Sequence, residues 1–262
     1  MRFGSDFNRR DILRILAAGG LLASGMRPGR AAEARIAHLI GEARAKGSIS
    51  QRIDFISAAL RGTRYLGFTL VGGPRRPEQF VARDDGFDCV TFCETVLAAA
   101  IAENPGEFDS VLRRIRYHNG VVSWRERNHY FFEWGQHNIE NKVCQAVAIP
   151  GSIEIQKTVY WHRELGRRLF SMTVIPRAAF LANRPMLVQG DIIGFITQRP
   201  NLDYFHVGFI AFGKNGELLL RHASQSRRRV LDERLDNFIV ANRVRYVTLL
   251  RPRSPSATAM RG

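Results

Sequence analysis

The feature that most constrains the fold is a run of three short apolar segments late in the chain, separated by hairpin-length connections. The segments cover residues 191–197, 205–212 and 217–222. Each has the length and composition of a strand, and the Gly-Lys-Asn-Gly sequence at 213–216 is a hairpin signal. A fourth segment of this kind covers 243–250. The sequence therefore predicts an antiparallel sheet in the second half of the chain.

The first half of the chain predicts helices instead. Apolar residues recur at helical spacing over 35–46 and 51–61, and stronger helical patterns cover 89–103 and 107–118. Residues 67–86 are rich in Gly, Pro and Asp and predict a loop. Helices that precede strands joined by short connections favour an α+β fold.

The chain has 262 residues, of which 45% are hydrophobic and 24% charged, so it can bury a sizeable core and is not disordered as a whole. We predict a single domain over 35–253. Within it, short strands, helices and aromatic residues mix around 120–185, which could form an inserted subdomain. The small, polar residues 254–262 predict a disordered tail.

Residues 1–34 have the layout of an export signal. A polar head ending in Arg9-Arg10 precedes a short apolar stretch, and small residues follow at Ala32 and Ala34. The Arg pair resembles a twin-arginine signal, which would make the twin-arginine export machinery a partner. The alternative is a basic amphipathic first helix of the folded domain. The signal predicts a periplasmic or otherwise extracytoplasmic protein.

The chain is strongly basic, with 39 Lys and Arg against 24 Asp and Glu and a net charge of +15. Such charge suits either a nucleic acid or an anionic cell-envelope surface. The Arg residues are spread along the chain, cluster only at 227–229, and accompany no nucleic-acid-binding motif. We therefore expect no nucleic-acid partner, and an electrostatic contact with the envelope. No apolar run reaches 18 residues, so no ordinary membrane span is predicted.

Cys89 occupies a position where a cysteine nucleophile can be activated. Asp88 is a good N-cap, which places Cys89 at the first position of the predicted helix. The helix dipole and the free amides there favour a thiolate, and the same amides can bind an oxyanion. A buried, inert cysteine is the alternative. Cys93, one turn later, is interpreted as a core thiol, with a resolving or metal-binding partner of Cys89 as the alternative.

Two histidines on neighbouring predicted strands can supply a base and a group that orients it. A loop over 213–215 would place His206 directly opposite His222, and a loop over 214–216 would place them diagonally on one face. Loops of two or four residues would place them on opposite faces. The Gly at the end of a three-residue loop favours the loops with an odd number of residues.

Together, Cys89, His206 and His222 form a nucleophile–base–orienter set. Gly208, two residues after His206 on the same side, is expected to leave room for another structural element. The same three side chains could bind zinc, but the chain has no H-E-x-x-H motif and no paired C-x-x-C motif. We therefore predict a site with no metal and no cofactor.

The order of these motifs resembles that of the NlpC-type, papain-like cysteine hydrolases of the cell wall. Asp88-Cys89, a strand after Gly190-Asp191, His206-Val207-Gly208 and His222 follow in that order. More specifically, the chain is similar to the N-acetylmuramoyl-L-alanine amidase-like branch from about residue 50 to 250. The segments that carry this similarity are FDCVTFCE at 87–94, IRY at 115–117, RNHYF at 127–131, Trp134, and HAS at 222–224.

The resemblance implies a papain-like fold, in which a helix with the cysteine at its N-terminus packs on an antiparallel sheet that carries both histidines. It implies hydrolysis of an amide bond in peptidoglycan fragments or muropeptides. Cys89 would attack the carbonyl, His206 would transfer the proton, and His222 would hold the His206 ring. The residues expected to bind the substrate are Tyr65, Asp88, His129, Tyr130 and Ser224. For Tyr65, a packed core tyrosine is the alternative.

One departure bears on the choice of bond. Many endopeptidases of the wider group have Ser where this chain has Val90, and that Ser helps to bind a free amino terminus. We therefore favour the N-acetylmuramoyl-L-alanine amide over the γ-D-glutamyl–diamino acid bond. An acyltransferase with the same Cys–His pair and a non-catalytic envelope-binding module remain open. The aromatic stretch 124–134 could line a sugar-binding groove or belong to the core.

Overall fold

The computed structural model describes residues 30–160 and 162–254, with the backbone alone for 30–33. Nearly all of the predicted export signal over 1–34 and of the predicted tail over 254–262 therefore lies outside the described residues. The first described helix begins at Arg30, within the segment assigned to the signal. None of the helices in the described part of the chain could cross a membrane, given their length and polarity.

Helices dominate the first half of the described chain and recur between strands in the second half. Local sequence explains where they begin: Ser48 and Gln51 form a capping box at one start, and Asp88 and Thr91 form another. The α-helices are α1 (Arg30–Ala43), α2 (Ile49–Ala59), α3 (Cys89–Ile101), α4 (Phe108–Arg116), α5 (Phe131–Glu140), α6 (Arg177–Ala182) and α7 (Leu235–Ala241).

Most strands lie in the second half of the chain, where β-branched and aromatic residues are frequent. The strands are β1 (Arg64–Tyr65), β2 (Val71–Gly73), β3 (Arg76–Gln79), β4 (Gly86–Phe87), β5 (Cys144–Ala146), β6 (Ile153–Val159), β7 (Arg168–Pro176), β8 (Ile192–Ile196), β9 (Tyr204–Phe212), β10 (Leu218–Ser224), β11 (Arg229–Arg234) and β12 (Tyr246–Pro252).

Among the described residues, ten strands form one sheet in the order β4-β1-β11-β10-β9-β8-β12-β7-β6, with β5 paired to β12. Strands β8 to β12 pair in an antiparallel manner, whereas β1 and β4 at the end of the sheet are parallel. Strands β2 and β3 form a separate hairpin. The mixed α+β fold predicted from the sequence is thus confirmed.

Both faces of the central sheet are covered by helices. Helix α3 is almost wholly buried and packs against one face, where it meets Val207 and Phe209 of β9. Helices α6 and α7 cover the other face, where Phe238 packs near Phe195 and Ile210. Because successive residues of β9 alternate between these two cores, the strand is held from both sides.

Several boundaries differ from the sequence-based expectations. The segment 67–86, predicted as a loop, contains the β2–β3 hairpin and the short strand β4. Strand β11 and helix α7 are not predicted at all. Around 120–185, β6 and β7 form a hairpin that extends the main sheet beyond β12. Strands β8, β9, β10 and β12 and the helices α2, α3 and α4 lie close to their predicted positions.

Candidate active site

The turn from β4 into α3 fixes the position of Cys89. The Asp88 carboxylate accepts hydrogen bonds from the Thr91 amide and hydroxyl, both at 2.8 Å, and the Thr91 hydroxyl accepts one from the Asp88 amide at 3.0 Å. This reciprocal cap makes Cys89 the first residue of α3, as the sequence predicts. Strand β4 pairs with β1, which ties the turn to the sheet.

The Cys89 side chain is half-buried, and its electrostatic environment differs from the expectation. Burial and, to a smaller extent, the charge of Asp88 raise the pKa of the Cys89 thiol to about 12, although the amides of Val207, Cys89 and Val90 act in the opposite direction. The sequence indicates groups that favour a thiolate, whereas the resting side chain is a neutral thiol. The amides at the helix start do favour the anion, but desolvation outweighs them.

The sulfur of Cys89 lies next to the strand that carries His206. It accepts a hydrogen bond from the backbone N–H of Val207, the residue that follows His206. The ladder between β9 and β10 has its last pair at Phe209 and Arg221, and β10 continues its pairing with β11 beyond that point. The Val207 amide approaches the sulfur beyond this last pair, where the start of α3 meets β9.

His206 and His222 are in direct contact. The loop spans residues 214–216, so Phe212 pairs with Leu218 and His206 lies diagonal to His222 on one face. This is one of the two registers that the sequence left open. The Nε2 atom of His206 lies 2.6 Å from Nδ1 of His222, and the two rings are perpendicular.

The two rings differ in exposure. His222 is buried, with 1% of its surface exposed, whereas His206 is half-buried. Both rings pack against Phe238 of α7, at centroid distances of 5.3 and 5.6 Å. Burial lowers the pKa of His206 well below its usual range, and the neighbouring His222 lowers it further. At neutral pH, the His206 imidazole and the Cys89 thiol are therefore both neutral.

Glu233 on β11 contacts the far side of the His222 ring. Its Oε1 atom lies 2.7 Å from Nε2 of His222, which makes this an ion-pair contact without hydrogen-bond alignment. Sequence reasoning missed this residue because it missed β11. Residues 229–234 are mostly charged and show no alternation of apolar and polar residues, so the sequence carries no clear signal for this second hairpin.

Two predicted substrate-binding residues lie beside the sulfur. Tyr65 on β1 is half-buried, and its pKa is raised by burial and then by the charges of Cys89 and Asp88. Its phenol therefore stays protonated and can donate a hydrogen bond. Asp88 caps the helix and adds negative charge next to the thiol.

The other predicted binding residues have structural partners of their own. Ser224 is buried on the same strand as His222, and its hydroxyl accepts a hydrogen bond from the Arg227 amide at 3.3 Å. His129 lies 2.6 Å from the Trp124 carbonyl, and burial lowers its pKa to about 4. Tyr130 is buried against Phe170. His129 and Tyr130 thus belong to an aromatic cluster that precedes and opens α5.

Three of the four ring nitrogens of the two histidines contact each other or Glu233. Across residues 30–160 and 162–254, no group of three or more His, Cys, Asp or Glu side chains is arranged to hold a metal ion. Nε2 of His206 and Nδ1 of His222 face each other, so neither of these two nitrogens points towards a common metal position.

The matching family model covers residues 55–244, which is most of the chain and includes every residue of the site described above. That model describes the AmiA-like proteins, which are N-acetylmuramoyl-L-alanine amidase-like. The chain belongs to the AmiA-like family. No curated protein matches it in sequence.

Several solved structures share the fold of this AmiA-like chain, and the similarity covers almost the whole length of each of them. A protein from Legionella pneumophila has a TM-score of 0.74 at 24% identity, over 85% of this chain and 95% of its own. An N-acetylmuramoyl-L-alanine amidase from Bacteroides uniformis has a TM-score of 0.69 at 23% identity, over 79% and 100%. A Bacteroides fragilis protein described as a candidate xylanase has a TM-score of 0.63 at 24% identity, over 74% and 98%. These likenesses show a shared fold.

Other motif residues of this AmiA-like chain form ion pairs and hydrogen bonds that connect the elements around the site. Arg116 of α4 forms an ion pair with Glu94 of α3 at 2.8 Å, and both side chains are buried. This pair connects α3, which begins at Cys89, to its neighbouring helix. Glu78 is likewise engaged by Arg127 at 2.9 Å and by the Tyr117 hydroxyl at 3.0 Å.

A cleft of about 430 Å³ opens between the β2–β3 hairpin and residues 122–125. Arg75, Arg76 and Arg125 line it together with Trp124, and none of the three Arg side chains has an acidic partner in the described chain. The carboxylate in the lining belongs to Glu78, which Arg127 neutralises. The cleft therefore carries a local excess of positive charge.

Proposed function

We propose that this protein is a peptidoglycan amidase of papain-like, NlpC-type architecture, which hydrolyses the amide between N-acetylmuramic acid and L-alanine with Cys89 as the nucleophile. The observation that carries this proposal is the placement of the Cys89 sulfur at the amide after His206, while His206 itself is engaged by His222 at 2.6 Å. Because related folds carry different functions, the chemistry of this site decides the reaction class.

In the first half of the reaction, the Cys89 thiol loses its proton to Nδ1 of His206 as the sulfur attacks the carbonyl carbon. The proton transfer accompanies the attack because the resting pair is a thiol and a neutral imidazole. The carbonyl oxygen becomes an oxyanion, which the Val90 amide and the Tyr65 hydroxyl can stabilise. The C–N bond then breaks, His206 returns the proton to the leaving amine, and a thioester remains on Cys89.

In the second half, water replaces the amine. His206 takes a proton from the water as its oxygen attacks the thioester carbonyl, and the C–S bond breaks. The products are a carboxylic acid on the sugar fragment and a peptide with a free amino terminus. The sulfur takes the proton back from His206, which restores the thiol and the neutral ring.

The most direct test replaces Cys89 with Ala and follows a defined muropeptide by mass spectrometry. We expect hydrolysis to be lost while circular dichroism and unfolding stay close to wild type. Cys144→Ala is the matched control, because it removes another buried thiol outside the site. Wild-type turnover by the Cys89 variant would refute the nucleophile assignment.

The masses of the products also separate the alternatives. Release of an intact stem peptide supports the amidase, and cleavage after the D-glutamyl residue supports the endopeptidase of the same superfamily. Transfer of the acyl group to an added amine, in place of water, supports an acyltransferase. Binding without any turnover supports a non-catalytic envelope-binding module.

We also propose that the protein acts in the periplasm after export through the twin-arginine machinery, and that the Arg-lined cleft contacts the anionic envelope. A fusion of residues 1–34 to a reporter should be exported, and its Arg9→Lys/Arg10→Lys variant should stay in the cytoplasm.

For the Arg-lined cleft, binding of the protein to purified cell-wall fragments should weaken with salt and should also weaken in a variant with three Arg→Gln changes. A matched variant with three exposed Arg residues elsewhere should bind like wild type. The cleft variant changes Arg75, Arg76 and Arg125, and the matched variant changes Arg167, Arg177 and Arg245.

A further inference from the structure

We propose that Glu233 is a positioning residue of this site, which sets the proton positions on both histidine rings and stabilises the protonated base. The proposal rests on the function proposed above and extends it from a Cys–His–His set to a chain of four groups. Glu233 acts through His222 and does not touch the reacting atoms.

Glu233 contacts His222, which in turn contacts His206. His222 lies in the middle, with its Nδ1 atom 2.6 Å from Nε2 of His206 and its Nε2 atom 2.7 Å from Oε1 of Glu233. Glu233 pairs with Leu220 in the β10–β11 ladder, which places it diagonal to His222 on the face that α7 covers. His222 is buried, so water cannot replace the carboxylate at its Nε2 atom without a rearrangement.

The order of donors and acceptors follows from the requirement on His206. Its Nδ1 atom must be free of a proton to accept one from Cys89, so the neutral ring carries its hydrogen on Nε2. That N–H donates to Nδ1 of His222, which must therefore be an acceptor. His222 then carries its own hydrogen on Nε2, where it faces the Glu233 carboxylate, an acceptor at both oxygens.

The choice of partner distinguishes Glu233 from its neighbours. Asp232, one residue earlier, forms ion pairs with Arg221 at 2.7 Å and with Arg61 at 3.2 Å. Within the described part of the chain, the ion pair that Glu233 makes is the one with His222. In a protein with a large excess of arginine, a carboxylate that faces an imidazole and no guanidinium is suited to control protonation.

Few other charges face this chain of groups. The ionisable side chains that α3 and β1 contribute, Asp88 and Tyr65, lie at the Cys89 end. Helix α7 and strand β8 place aromatic rings against the histidines. The carboxylate of Asp236 on α7 is paired with Arg184. Glu233 is therefore the carboxylate nearest to His222 on this face. The two histidines lie between Cys89 and Glu233, and the side chains around this row of four groups are Asp88, Tyr65, Phe195 and Phe238.

The test compares Glu233→Gln with Glu233→Asp and with Glu217→Gln, which removes the same charge from an exposed position on the neighbouring hairpin. We expect kcat/KM to fall roughly 10- to 100-fold in Glu233→Gln with KM little changed, because an orienting group acts mainly on the chemical step. Glu233→Asp should recover part of the loss, and Glu217→Gln should match wild type.

The pH profile supplies a readout that a purely structural role would not move. Loss of the carboxylate destabilises the imidazolium of His206, so the acid limb of kcat/KM should shift to lower pH. Nitrogen NMR of the imidazoles should show the His222 hydrogen on Nε2 in the wild type, with a larger Nδ1–H fraction in Glu233→Gln.

Wild-type kcat/KM and an unshifted acid limb in Glu233→Gln would overturn the proposal, as would a wild-type His222 protonated on Nδ1. If Cys89→Ala is inactive at the same time, the proposed function stands and this inference alone fails. If Cys89→Ala is fully active, the proposed function fails first.

Discussion

Replacing Gly208 with Ala should disable the site without touching a reacting group. Gly208 lies on β9 opposite His222 of β10 in the register of the hairpin. A Cβ atom built at Gly208 would lie 2.9 Å from the Cβ of His222, 2.9 Å from the carbonyl oxygen of Arg221 and 2.8 Å from a methyl carbon of Leu220. Gly208 thus makes room for another structural element, as the sequence predicts, and that element is the adjacent strand β10.

The size of the effect follows from these distances. Non-bonded carbon atoms prefer about 3.5–4.0 Å, so the new methyl group overlaps its neighbours by about 0.6–1.2 Å. Two of the three neighbours are backbone or Cβ atoms, which cannot move as a flexible side-chain end can. Overpacking of this kind costs about 1–3 kcal/mol of unfolding free energy. A shift of about 1 Å in His222 would break its 2.6 Å contact with His206, and misplacement on that scale can lower kcat about 100-fold.

The assay pairs kcat and KM on a defined muropeptide with unfolding in urea. We expect Gly208→Ala to lose about 1–3 kcal/mol of stability and to lose kcat out of proportion to that, while KM stays close to wild type. Gly41→Ala in α1 is the control, because a Cβ there meets nothing within 4 Å and Ala is favoured in a helix. A Gly208→Ala variant with wild-type kcat would show that the packing at His222 does not position the base.

Three further outcomes are expected. His206→Ala should lower kcat/KM more than His222→Ala, because His206 transfers the proton and His222 orients it; equal or inverted losses would contradict these roles. Glu94→Gln should cost about 3–5 kcal/mol in a urea titration, because it leaves the buried Arg116 charge without its partner, and a loss below about 1 kcal/mol would refute this. For His129, the unfolded ring takes up a proton near pH 6.5 and the folded ring near pH 4, so stability present above pH 6.5 is lost as pH falls towards 4; His129→Gln should flatten this loss, and an unchanged pH slope would argue against the buried neutral ring.

The parts of the fold that the sequence predicted are those fixed by local chemistry. The start of α3 follows from a capping residue. A loop with an odd number of residues, here ending in Gly216 with positive φ, places both histidines on one face, although the sequence left two registers open. The α+β class follows from the order of the helices and strands. Each of these depends on residues close together in the sequence.

What the sequence could not predict depends on long-range contacts or on burial. Strand β11 is short and rich in charged residues, so its pattern resembles a solvated turn until His222 and Arg221 provide partners for its acidic side chains. The neutral state of the Cys89 thiol could not be predicted, because helix-terminal amides can be recognised in the sequence, whereas desolvation cannot. The roles of His129, Tyr130 and Ser224 in substrate binding stay predictions.

The order of the strands in the sheet has a consequence for synthesis on the ribosome. Strand β1, early in the chain, pairs with β11, which is translated about 165 residues later, and the cysteine-bearing turn is attached to β1 through β4. Until β11 has emerged from the ribosome, β1 lacks its antiparallel partner, so the turn that carries Cys89 is not yet attached to the sheet. Pairings between strands so distant in sequence also form slowly. Truncated or stalled chains should accordingly be inert, and the earliest moment at which this hydrolase can act is close to the end of its own translation.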